Sequence, residues 1–328
     1  MPPISRRSAI QLAGLGVAAL ATPAVLTGGA LAAGPVALRP AEDGAEFKRF
    51  KLGQFEFTIL SDGHRRVPNP QQVFGLDQSK AAVEALLAQN LLPTQAMQFS
   101  FAPLLINTGQ DLVLIDTGNG EGARGSGAGR MLASLKLSGY TPDQVSVVAL
   151  THMHGDHIGG IMEGGAPAFP NARYVAGKTE YDFWTDDKLM GTKAEKNHLM
   201  VKKYLVPLAA KFTLIGDGDG VVDGITGMNA FGHTPGHMIF RIESGGRTLI
   251  VTGDTSNHFV LSLQRPEWKV VFDWDAAQAI ATRKKVFDMI AAQKLPFLGY
   301  HMPFPSVGFV EKRGEGYHFI PETYQFAI

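Results

Sequence analysis

Short apolar segments with strand-like patterns recur along the chain from residue 55 onward. Phe55–Leu60 alternates in character, as a half-buried strand does. Residues 145–150 form a segment that is apolar except for Ser146 and is rich in β-branched side chains, which is typical of a strand buried on both faces. Turn residues at 108–111 predict a hairpin between two neighbouring strands. The other predicted strands are 101–107, 112–115, 173–176, 212–215, 228–231, 238–242, 248–252 and 296–300.

Helical segments alternate with these strands. Helices are predicted over Lys80–Gln89, Met131–Leu137 and residues 276–292. Because hairpins and strand–helix alternation occur together, the pattern favours two β-sheets packed face to face with helices outside, in one domain over residues 51–328. Residues 33–50 are rich in Pro, Ala and Gly, and they predict a linker or an N-terminal arm.

The first 32 residues have the composition of a targeting segment. Arginines at positions 6 and 7 precede an apolar stretch over residues 10–25, and Ala30-Leu31-Ala32, with small residues at its first and third positions, offers a cleavage site. The paired arginines resemble a twin-arginine signal, which predicts a periplasmic or secreted protein without a membrane partner after cleavage. An uncleaved anchor is the alternative, but the stretch is short and is interrupted by Pro23.

Charge and cysteine content narrow the chemistry. The 328 residues include 30 basic and 30 acidic side chains and no long run of like charge, which argues against a nucleic-acid partner. The chain contains no cysteine. Any bound metal ion must therefore use histidine and carboxylate ligands.

A dense group of such ligands follows the buried strand at 145–150. Residues two apart point the same way in an extended loop, so His152 and His154 can bind one ion. The chain then turns at a glycine, and Asp156 with His157 can face a second ion. The alternative, solvated histidines with Asp156 capping a helix, does not account for three histidines and a carboxylate in six residues. The whole segment is Thr151-His152-Met153-His154-Gly155-Asp156-His157.

This segment resembles the His-x-His-x-Asp-His motif of the metallo-β-lactamase superfamily. Four other segments resemble further motifs of that superfamily and occur in the same order along the chain. The resemblance covers roughly residues 55–301 and implies an αβ/βα sandwich of four layers, with two mixed sheets inside and the metal site at one edge. The four segments are Asp116-Thr117-Gly118, Gly232-His233-Thr234-Pro235-Gly236-His237, Val251-Thr252-Gly253-Asp254 and Tyr300-His301.

The resemblance implies two metal sites that share a carboxylate. His237 is expected to be structural rather than a ligand. Asp116 either orients a ligand imidazole or merely ends a strand at a Thr-Gly turn. The implied ligands are His152, His154 and His233 for the first ion, Asp156, His157 and His301 for the second, and Asp254 between the two.

Two divalent ions of this kind imply hydrolysis. Zinc is the expected metal, with cobalt, manganese or iron as alternatives, and a metal-bridging hydroxide would attack a lactone, carboxylester or phosphotriester. Asp254 and Asp156 are the predicted catalytic residues, and Asp156 would also relay a proton to the leaving group. One alternative is an iron-dependent redox enzyme resembling persulfide dioxygenases, which use fewer ligands. A noncatalytic metal-binding module is another, although it would not need two ions.

Segments after Asp254 resemble one branch of the superfamily, which contains methyl parathion hydrolase and quorum-quenching lactonases. Relatives that act on aryl phosphotriesters use an aromatic wall in the loop that corresponds to residues 118–129, and here this loop has no aromatic residue. The branch therefore implies a lactonase or esterase acting on a small molecule, with organophosphate hydrolysis as a side activity. The segments that carry this resemblance are residues 254–258, 261–268 and 300–305.

Several nearby residues have two interpretations. Trp184 either faces an apolar leaving group or packs in the core, and His258 either supports the site or lies on the surface. The loop at 118–129 is predicted to be a mobile substrate-side segment, and residues 216–220 a plain turn. The apolar tail after His301 packs either on a partner chain in a homodimer or on its own core. Further aromatic candidates for the pocket are Phe99, Phe101, Phe304 and Phe309.

Overall fold

A computed structural model describes residues 46–322 and residue 328. These residues belong to one compact unit, Ala45–Ile328. The predicted signal segment at 1–32 and most of the predicted arm lie outside the described residues. Within the described part, no helix has the length and apolar character that a membrane span requires.

The first half of the described chain builds a seven-stranded sheet with order β1-β2-β5-β6-β7-β10-β11. Neighbours are antiparallel from β1 to β6 and parallel from β6 to β11. The strands are β1 (Phe47–Leu52), β2 (Phe55–Leu60), β3 (His64–Pro68), β4 (Ala96–Ser100), β5 (Leu104–Asn107), β6 (Leu112–Ile115), β7 (Val147–Ala149), β8 (Met162–Glu163), β9 (Ala166–Pro167), β10 (Arg173–Gly177) and β11 (Phe212–Ile215). The helices are α1 (Lys80–Gln89), α2 (Met131–Leu137), α3 (Gly155–Ile158), α4 (Lys178–Thr185) and α5 (Glu195–Tyr204). Strands β3 with β4 and β8 with β9 form small separate sheets.

The second half builds another seven-stranded sheet, in simple chain order from β12 to β18. Only the β15–β16 pair is parallel, because α6 crosses between these two strands. The elements are β12 (Gly220–Val222), β13 (Ile225–Asn229), β14 (Met238–Ser244), β15 (Arg247–Val251), α6 (Ala276–Gln293), β16 (Phe297–Leu298), β17 (Val307–Arg313) and β18 (Gly316–Pro321).

Alternation along the strands separates the core into layers. In β6, Val113 and Ile115 face the second sheet, whereas Leu112 and Leu114 face the helices that cover the first sheet. On the far side, Phe287 of α6 packs with residues on the outer face of the second sheet. The order of layers is therefore helices, sheet, sheet and helix, which confirms the predicted α/β sandwich.

The parallel strand pairs place the predicted site residues at one edge. The carboxyl ends of adjacent parallel strands meet at the same side of a sheet. Strands β6 and β7 end just before Asp116 and Thr151, and β15 and β16 end just before Asp254 and His301. Four of the five motifs thus leave the two sheets at their common edge, and the fifth, with His233, connects the antiparallel strands β13 and β14.

The prediction of a linker or arm over residues 33–50 is wrong for its last four residues. Residues from Phe47 onward form β1, an edge strand that pairs with β2. Three basic residues interrupt the alternation of apolar and polar positions from which a strand would be predicted here. One of them, Arg49, lies 3.3 Å from Glu56 on the neighbouring strand β2. An edge strand tolerates such charges because one of its sides is open to water.

Other boundaries shift by a few residues. The strand predicted at 101–107 begins at Leu104, after β4 has ended at Ser100. The strand predicted at 228–231 is Ile225–Asn229, and the one at 296–300 shortens to Phe297–Leu298.

The tail after His301 packs on its own chain. It forms the β17–β18 hairpin at the edge of the second sheet, and Tyr317 is buried against Phe287 of α6. Phe319 contacts Phe297 in the same cluster. This part of the tail gives no reason to invoke a partner chain, so a homodimer stays a prediction.

Candidate metal centre

The His-rich segment leaves β7 in an extended loop and enters α3. His154 is the residue that precedes the first turn of α3, with extended backbone angles. His152 and His157 are fully buried, whereas the Asp156 side chain keeps 26% of its surface exposed. The loop thus directs two imidazoles inward and leaves one carboxylate at the opening.

Three histidines form a first group. The Nε2 atom of His152 lies 3.1 Å from Nδ1 of His154 and 3.2 Å from Nε2 of His233. The third distance, between His233 and His154, is 3.0 Å. The structure therefore brings His233, from the segment between β13 and β14, to the two histidines after β7.

A second group lies beside the first, and Asp254 joins them. His301 Nε2 is 3.5 Å from Asp156 Oδ2, and His157 Nε2 is 3.7 Å from the same oxygen. Asp254 Oδ2 lies 3.2 Å from His301 and 3.3 Å from His233, and Asp254 Oδ1 lies 3.3 Å from His157. One carboxylate is thus within reach of ligands in both groups.

These distances fit divalent ions better than direct hydrogen bonds. In a tetrahedral zinc site with Zn–N distances of about 2.0–2.1 Å, neighbouring ligand atoms lie about 3.3–3.4 Å apart. Three nitrogens that converge at 3.0–3.2 Å cannot all donate to one another. His157 Nε2 and Asp254 Oδ1 are also buried without a hydrogen-bond partner. The donor set therefore suits divalent metal ions, and its assignment as ligands stays a prediction.

The pKa shifts of these histidines show the same clustering. Burial lowers the pKa of His154 to about 3, and its positively charged neighbour His233 adds to this effect. Burial also opposes protonation of His233, but hydrogen bonds to Asp254 and Asp273 outweigh it and raise the pKa to about 9. The two carboxylates thus favour positive charge at a point where several imidazoles converge, and a metal ion satisfies this preference.

Asp116 orients His157, as one of its two interpretations predicted. Its Oδ2 atom lies 2.8 Å from His157 Nδ1 and accepts a hydrogen bond from the Thr151 hydroxyl, while Oδ1 accepts from the Thr151 amide. This contact places the proton on Nδ1 and leaves the Nε2 lone pair facing the second group. Asp116 itself is buried and adopts a left-handed backbone (φ 59°).

His237 lies outside both groups and positions Asp254. Its Nε2 atom accepts a hydrogen bond from the Asp254 amide at 3.0 Å, so Nδ1 carries the proton and donates to the Ala230 carbonyl. Gly253, with φ 47°, makes this approach possible, because a Cβ there would lie 2.7 Å from His237 Nε2. This arrangement agrees with the structural role predicted for His237.

His301 is oriented through the backbone of β4. Its Nδ1 atom lies 2.9 Å from the Ser100 carbonyl, so Nδ1 donates and Nε2 is left free to face Asp254. The neighbouring Tyr300 packs its ring on His157 and donates its hydroxyl to the Asp156 carbonyl. Tyr300 thus packs against a residue of the second group instead of joining that group.

Comparison with known proteins agrees with this geometry. The model of the metallo-beta-lactamase superfamily matches residues 103–289, more than half of the chain. The chain belongs to this superfamily. The match includes every residue of the two groups except His301, which lies beyond its end.

Relatives of this superfamily member include lactonases. An N-acyl homoserine lactonase from a Bacillus species is 25% identical over 232 residues, which cover 64% of this chain and 84% of the relative. AidC, a dizinc quorum-quenching lactonase solved with the product N-hexanoyl-L-homoserine, has a TM-score of 0.79 and 28% identity, and the match covers 85% of this chain and 98% of AidC. The hydrolase AbOPH has a TM-score of 0.79 and 30% identity, covering 86% and 99%. These relatives confirm the predicted enzyme class, a metal-dependent hydrolase.

Two residues that support the metallo-beta-lactamase centre were missed in the sequence. Asp273 Oδ1 lies 3.1 Å from Nδ1 of His233, and Asp273 Oδ2 accepts a hydrogen bond from Arg283. Both side chains of this ion pair are fully buried. The pair fixes the proton of His233 on Nδ1 and leaves Nε2 for the first group. No motif marks these residues, because they lie 40 and 50 positions after the histidine they support.

Glu180 of α4 is a third residue that was missed. This buried carboxylate accepts four hydrogen bonds and forms no ion pair with a cation among the described residues. Oε1 accepts from the Met153 amide and the Trp184 indole, and Oε2 accepts from the Thr234 hydroxyl and the Gly236 amide. Glu180 therefore ties the segment of His152 and His154 to the segment of His233.

Replacing Glu180 by glutamine is expected to lower the free energy of unfolding by about 1–3 kcal/mol. The amide NH2 would face either the Met153 and Trp184 donors or the Thr234 and Gly236 donors, and it cannot accept from them. Urea denaturation measures the loss. The exposed Glu243→Gln is the control and should change stability by less than about 0.5 kcal/mol. Equal stability of Glu180→Gln and wild type would contradict this role.

The surface interpretation of His258 is wrong. The side chain is buried, its Nδ1 atom accepts from the amides of Val260 and Leu261, and its ring packs against Phe74 and Phe259. Burial lowers the pKa of His258 to about 3. This histidine stabilises the turn after Asp254 in its neutral form.

His258 is expected to make the fold sensitive to acid. In the unfolded chain its pKa is about 6.5, so below that pH the unfolded state binds a proton that the folded state does not. Stability therefore falls as the pH drops, by about 2 kcal/mol between pH 7 and pH 5 from this residue alone. His258→Asn keeps an acceptor for the turn and should lose this part of the pH dependence. Urea titrations of matched metal-loaded samples at both pH values test it, and equal losses in variant and wild type would refute it.

Of the aromatic residues predicted as candidates for the substrate pocket, some lie beside the ligand groups and others pack elsewhere in the fold. Trp184 is buried in α4, which confirms core packing, yet its ring also lies 5.7 Å from that of His154. Phe99 and Phe101 contact the His301 ring at 4.8 Å and 5.4 Å. Phe304 packs on the core between the sheets, and Phe309 lies on β17.

The glycine-rich loop at 118–129 is anchored at both ends by buried Asp62. One carboxylate oxygen accepts from the Asn119 amide and side chain and from the Gly129 amide, and the other accepts from the Met131 amide. Between these anchors, Arg124 forms an ion pair with Glu163. The predicted mobility of the loop therefore concerns only residues between fixed ends.

Proposed function

We propose that the protein is a lactonase that uses two divalent metal ions, with zinc as the expected metal and N-acyl homoserine lactones as the substrate class. The observation that carries this proposal is the pair of adjacent ligand groups that share Asp254. The lactonase relatives, including a dizinc enzyme, support it. In this proposal His152, His154 and His233 hold one ion, and Asp156, His157 and His301 hold the other.

The bound ions supply Lewis acidity at the substrate oxygen and a nucleophile derived from water near neutral pH. The protein supplies the geometry. Asp116, Asp273 and the Ser100 carbonyl fix the protons of three imidazoles so that each presents a lone pair to the centre. His237 holds the Asp254 backbone, so that its carboxylate faces both groups.

Asp156 is proposed to transfer a proton to the leaving group when the lactone ring opens. Its side chain is the most exposed carboxylate of the centre, at 26%, whereas the Asp254 side chain is only 4% exposed. A carboxylate at the opening can pass a proton to the leaving alkoxide as the lactone opens. Asp156 therefore suits proton transfer, and Asp254 suits a fixed role between the two ligand groups, where it would help to hold the ions.

A test begins with the metal content. Protein purified without added metal should contain about two divalent ions per chain, and chelation should abolish hydrolysis of hexanoyl-homoserine lactone until zinc, cobalt or manganese is restored. Ring-opened product is measured by mass spectrometry, with His154→Ala as the control. One iron per chain together with sulfite production from a persulfide would favour the redox alternative and overturn the proposal.

Hydrolysis of aryl esters and aryl phosphotriesters is proposed as a secondary activity. The exposed Phe272 ring lies 6.0 Å from that of Phe99, which contacts His301, and it offers an aromatic contact for such leaving groups. Methyl paraoxon and 4-nitrophenyl butyrate, assayed with the same preparation, test this activity. Turnover no higher than that of His154→Ala would contradict it.

Export through a twin-arginine pathway is also proposed, supported by the arginines at positions 6 and 7 and the apolar stretch that follows. Cell fractionation tests it, since replacing both arginines by lysine should leave the protein in the cytoplasm. An unchanged distribution would contradict export by this route.

A further inference from the structure

Two adjacent arginines on β3 point in opposite directions. In the register of the β3–β4 pair, Arg65 lies opposite Phe99 and Arg66 lies opposite Gln98. Opposed residues of an antiparallel pair share a face, and successive residues alternate between faces. Arg65 therefore shares the face of buried Phe99, whereas Arg66 shares the face of exposed Gln98.

The face that carries Arg65 is the one turned toward the second ligand group. The ring of Phe99 lies 4.8 Å from the ring of His301, and the ring of Phe101 lies 5.4 Å from it. The guanidinium carbon of Arg65 lies 5.7 Å from the centre of the Phe101 ring. A single aromatic ring thus contacts both Arg65 and a residue of the metal centre.

The hydrogen-bonding capacity of Arg65 is unused within the described residues. Its Nε atom is buried without a hydrogen-bond partner, whereas the residue as a whole is only half-buried. No carboxylate of the described part lies within ion-pair distance of it, in contrast to Arg124, Arg130 and Arg283. An unsatisfied buried donor is costly, so its retention indicates a partner that the folded chain does not supply.

A carboxylate matches this vacant donor set. The guanidinium is planar and always charged, and its parallel N–H groups bind both oxygens of a carboxylate. Contact with Phe101 holds the group on the substrate side of β3. A neutral N-acyl homoserine lactone would leave this charge without a partner, whereas an ester or lactone with a free acid group would supply one.

We propose that Arg65 binds a carboxylate on the substrate, away from the bond that is hydrolysed. This assignment rests on the proposed hydrolase function and adds a second substrate class to it, esters and lactones that carry a free acid group, beside the neutral N-acyl homoserine lactones. The bound carboxylate of the substrate would lie on the side of the second ligand group, near His301. Arg65 is a binding residue in this proposal and takes no part in the bond-breaking step.

Two esters that differ only in charge test the proposal. Mono-4-nitrophenyl glutarate carries a free carboxylate, and 4-nitrophenyl methyl glutarate is its neutral counterpart. In the metal-loaded full-length protein, the ratio of their kcat/KM values should favour the acid. Arg65→Leu should lower this ratio about tenfold or more, mainly through KM, because a charge-assisted bidentate contact is lost. Arg65→Lys keeps the positive charge but lacks the parallel N–H groups of the guanidinium, and it should give an intermediate ratio.

Arg66→Leu is the matched control, because it removes the same charge from the opposite face of the same strand. Its ratio should equal that of wild type. A ratio unchanged in Arg65→Leu, or lowered equally in both leucine variants, would overturn the proposal, since the second result would reflect general surface charge.

A binding measurement separates this proposal from the hydrolase assignment. Calorimetry compares glutarate with butyrate, which has one carboxylate fewer, on the zinc-loaded protein. Wild type should bind glutarate more tightly, and Arg65→Leu should lose the difference. If neither ester nor lactone is hydrolysed, the proposed function fails, yet calorimetry still decides the role of Arg65. Equal binding of the two acids by wild type would overturn that role.

Discussion

Replacing Asp254 by asparagine is expected to remove at least one metal ion per chain and to lower activity by more than about a hundredfold, since even the loss of a residue that supports a ligand costs 10–100-fold. Asp254 Oδ2 lies near His233 and His301, and Oδ1 lies near His157. Asparagine retains one oxygen. Whichever way its amide turns, at least one ligand group faces an NH2 that cannot bind a cation.

Metal analysis and lactone hydrolysis measure this effect together. The volume of the side chain hardly changes, and its neighbour Asn257 can still donate to the remaining oxygen, so the fold should persist. Asp217→Asn, in an exposed turn, is the control and should retain both ions and full activity. Two ions and undiminished activity in Asp254→Asn would show that the carboxylate is not shared, and the two-ion centre would then be rejected.

Several residues of the metal centre could be predicted because they are close neighbours in the sequence. His152, His154, Asp156 and His157 lie in one loop after a buried strand, and such a density of ligands is typical of a metal site. The more distant His233, Asp254 and His301 carry no such local signal. They were found through motif order. The ends of the parallel strands β15 and β16 then explain the positions of Asp254 and His301, whereas His233 comes from the connection between the antiparallel strands β13 and β14.

The supporting residues could not be predicted in the same way. Asp273, Arg283 and Glu180 are common residue types in unremarkable contexts, and two of them lie on ordinary helices. Their roles depend on burial and on contacts between residues far apart along the chain, which no local pattern expresses. The same limit explains β1, where basic residues on an edge strand concealed the alternation.

Replacing Arg283 by methionine is expected to lower the free energy of unfolding by about 3–5 kcal/mol, because it leaves a buried carboxylate without its counter-charge. Arg283 is fully buried and lies 3.0 Å from Asp273. It also donates to the carbonyls of Thr255 and Pro266, which link α6 to the segment after Asp254. Urea denaturation of the variant measures the loss. The exposed pair of Arg313 with Glu311 provides a control, and Arg313→Met should cost less than about 1 kcal/mol.

A double variant separates the charge from the support of the metal ligand. Adding Asp273→Asn to Arg283→Met removes the unpaired charge, and the Asn oxygen can still accept from His233 Nδ1. Much of the lost stability should therefore return, while affinity for the first ion stays about 10–100-fold below that of wild type, because a neutral amide polarises the imidazole less than a carboxylate does. Zinc affinity is measured by competition with a chromogenic chelator. If the double variant is no more stable than Arg283→Met, the loss comes from the broken hydrogen bonds to Thr255 and Pro266 rather than from the isolated charge.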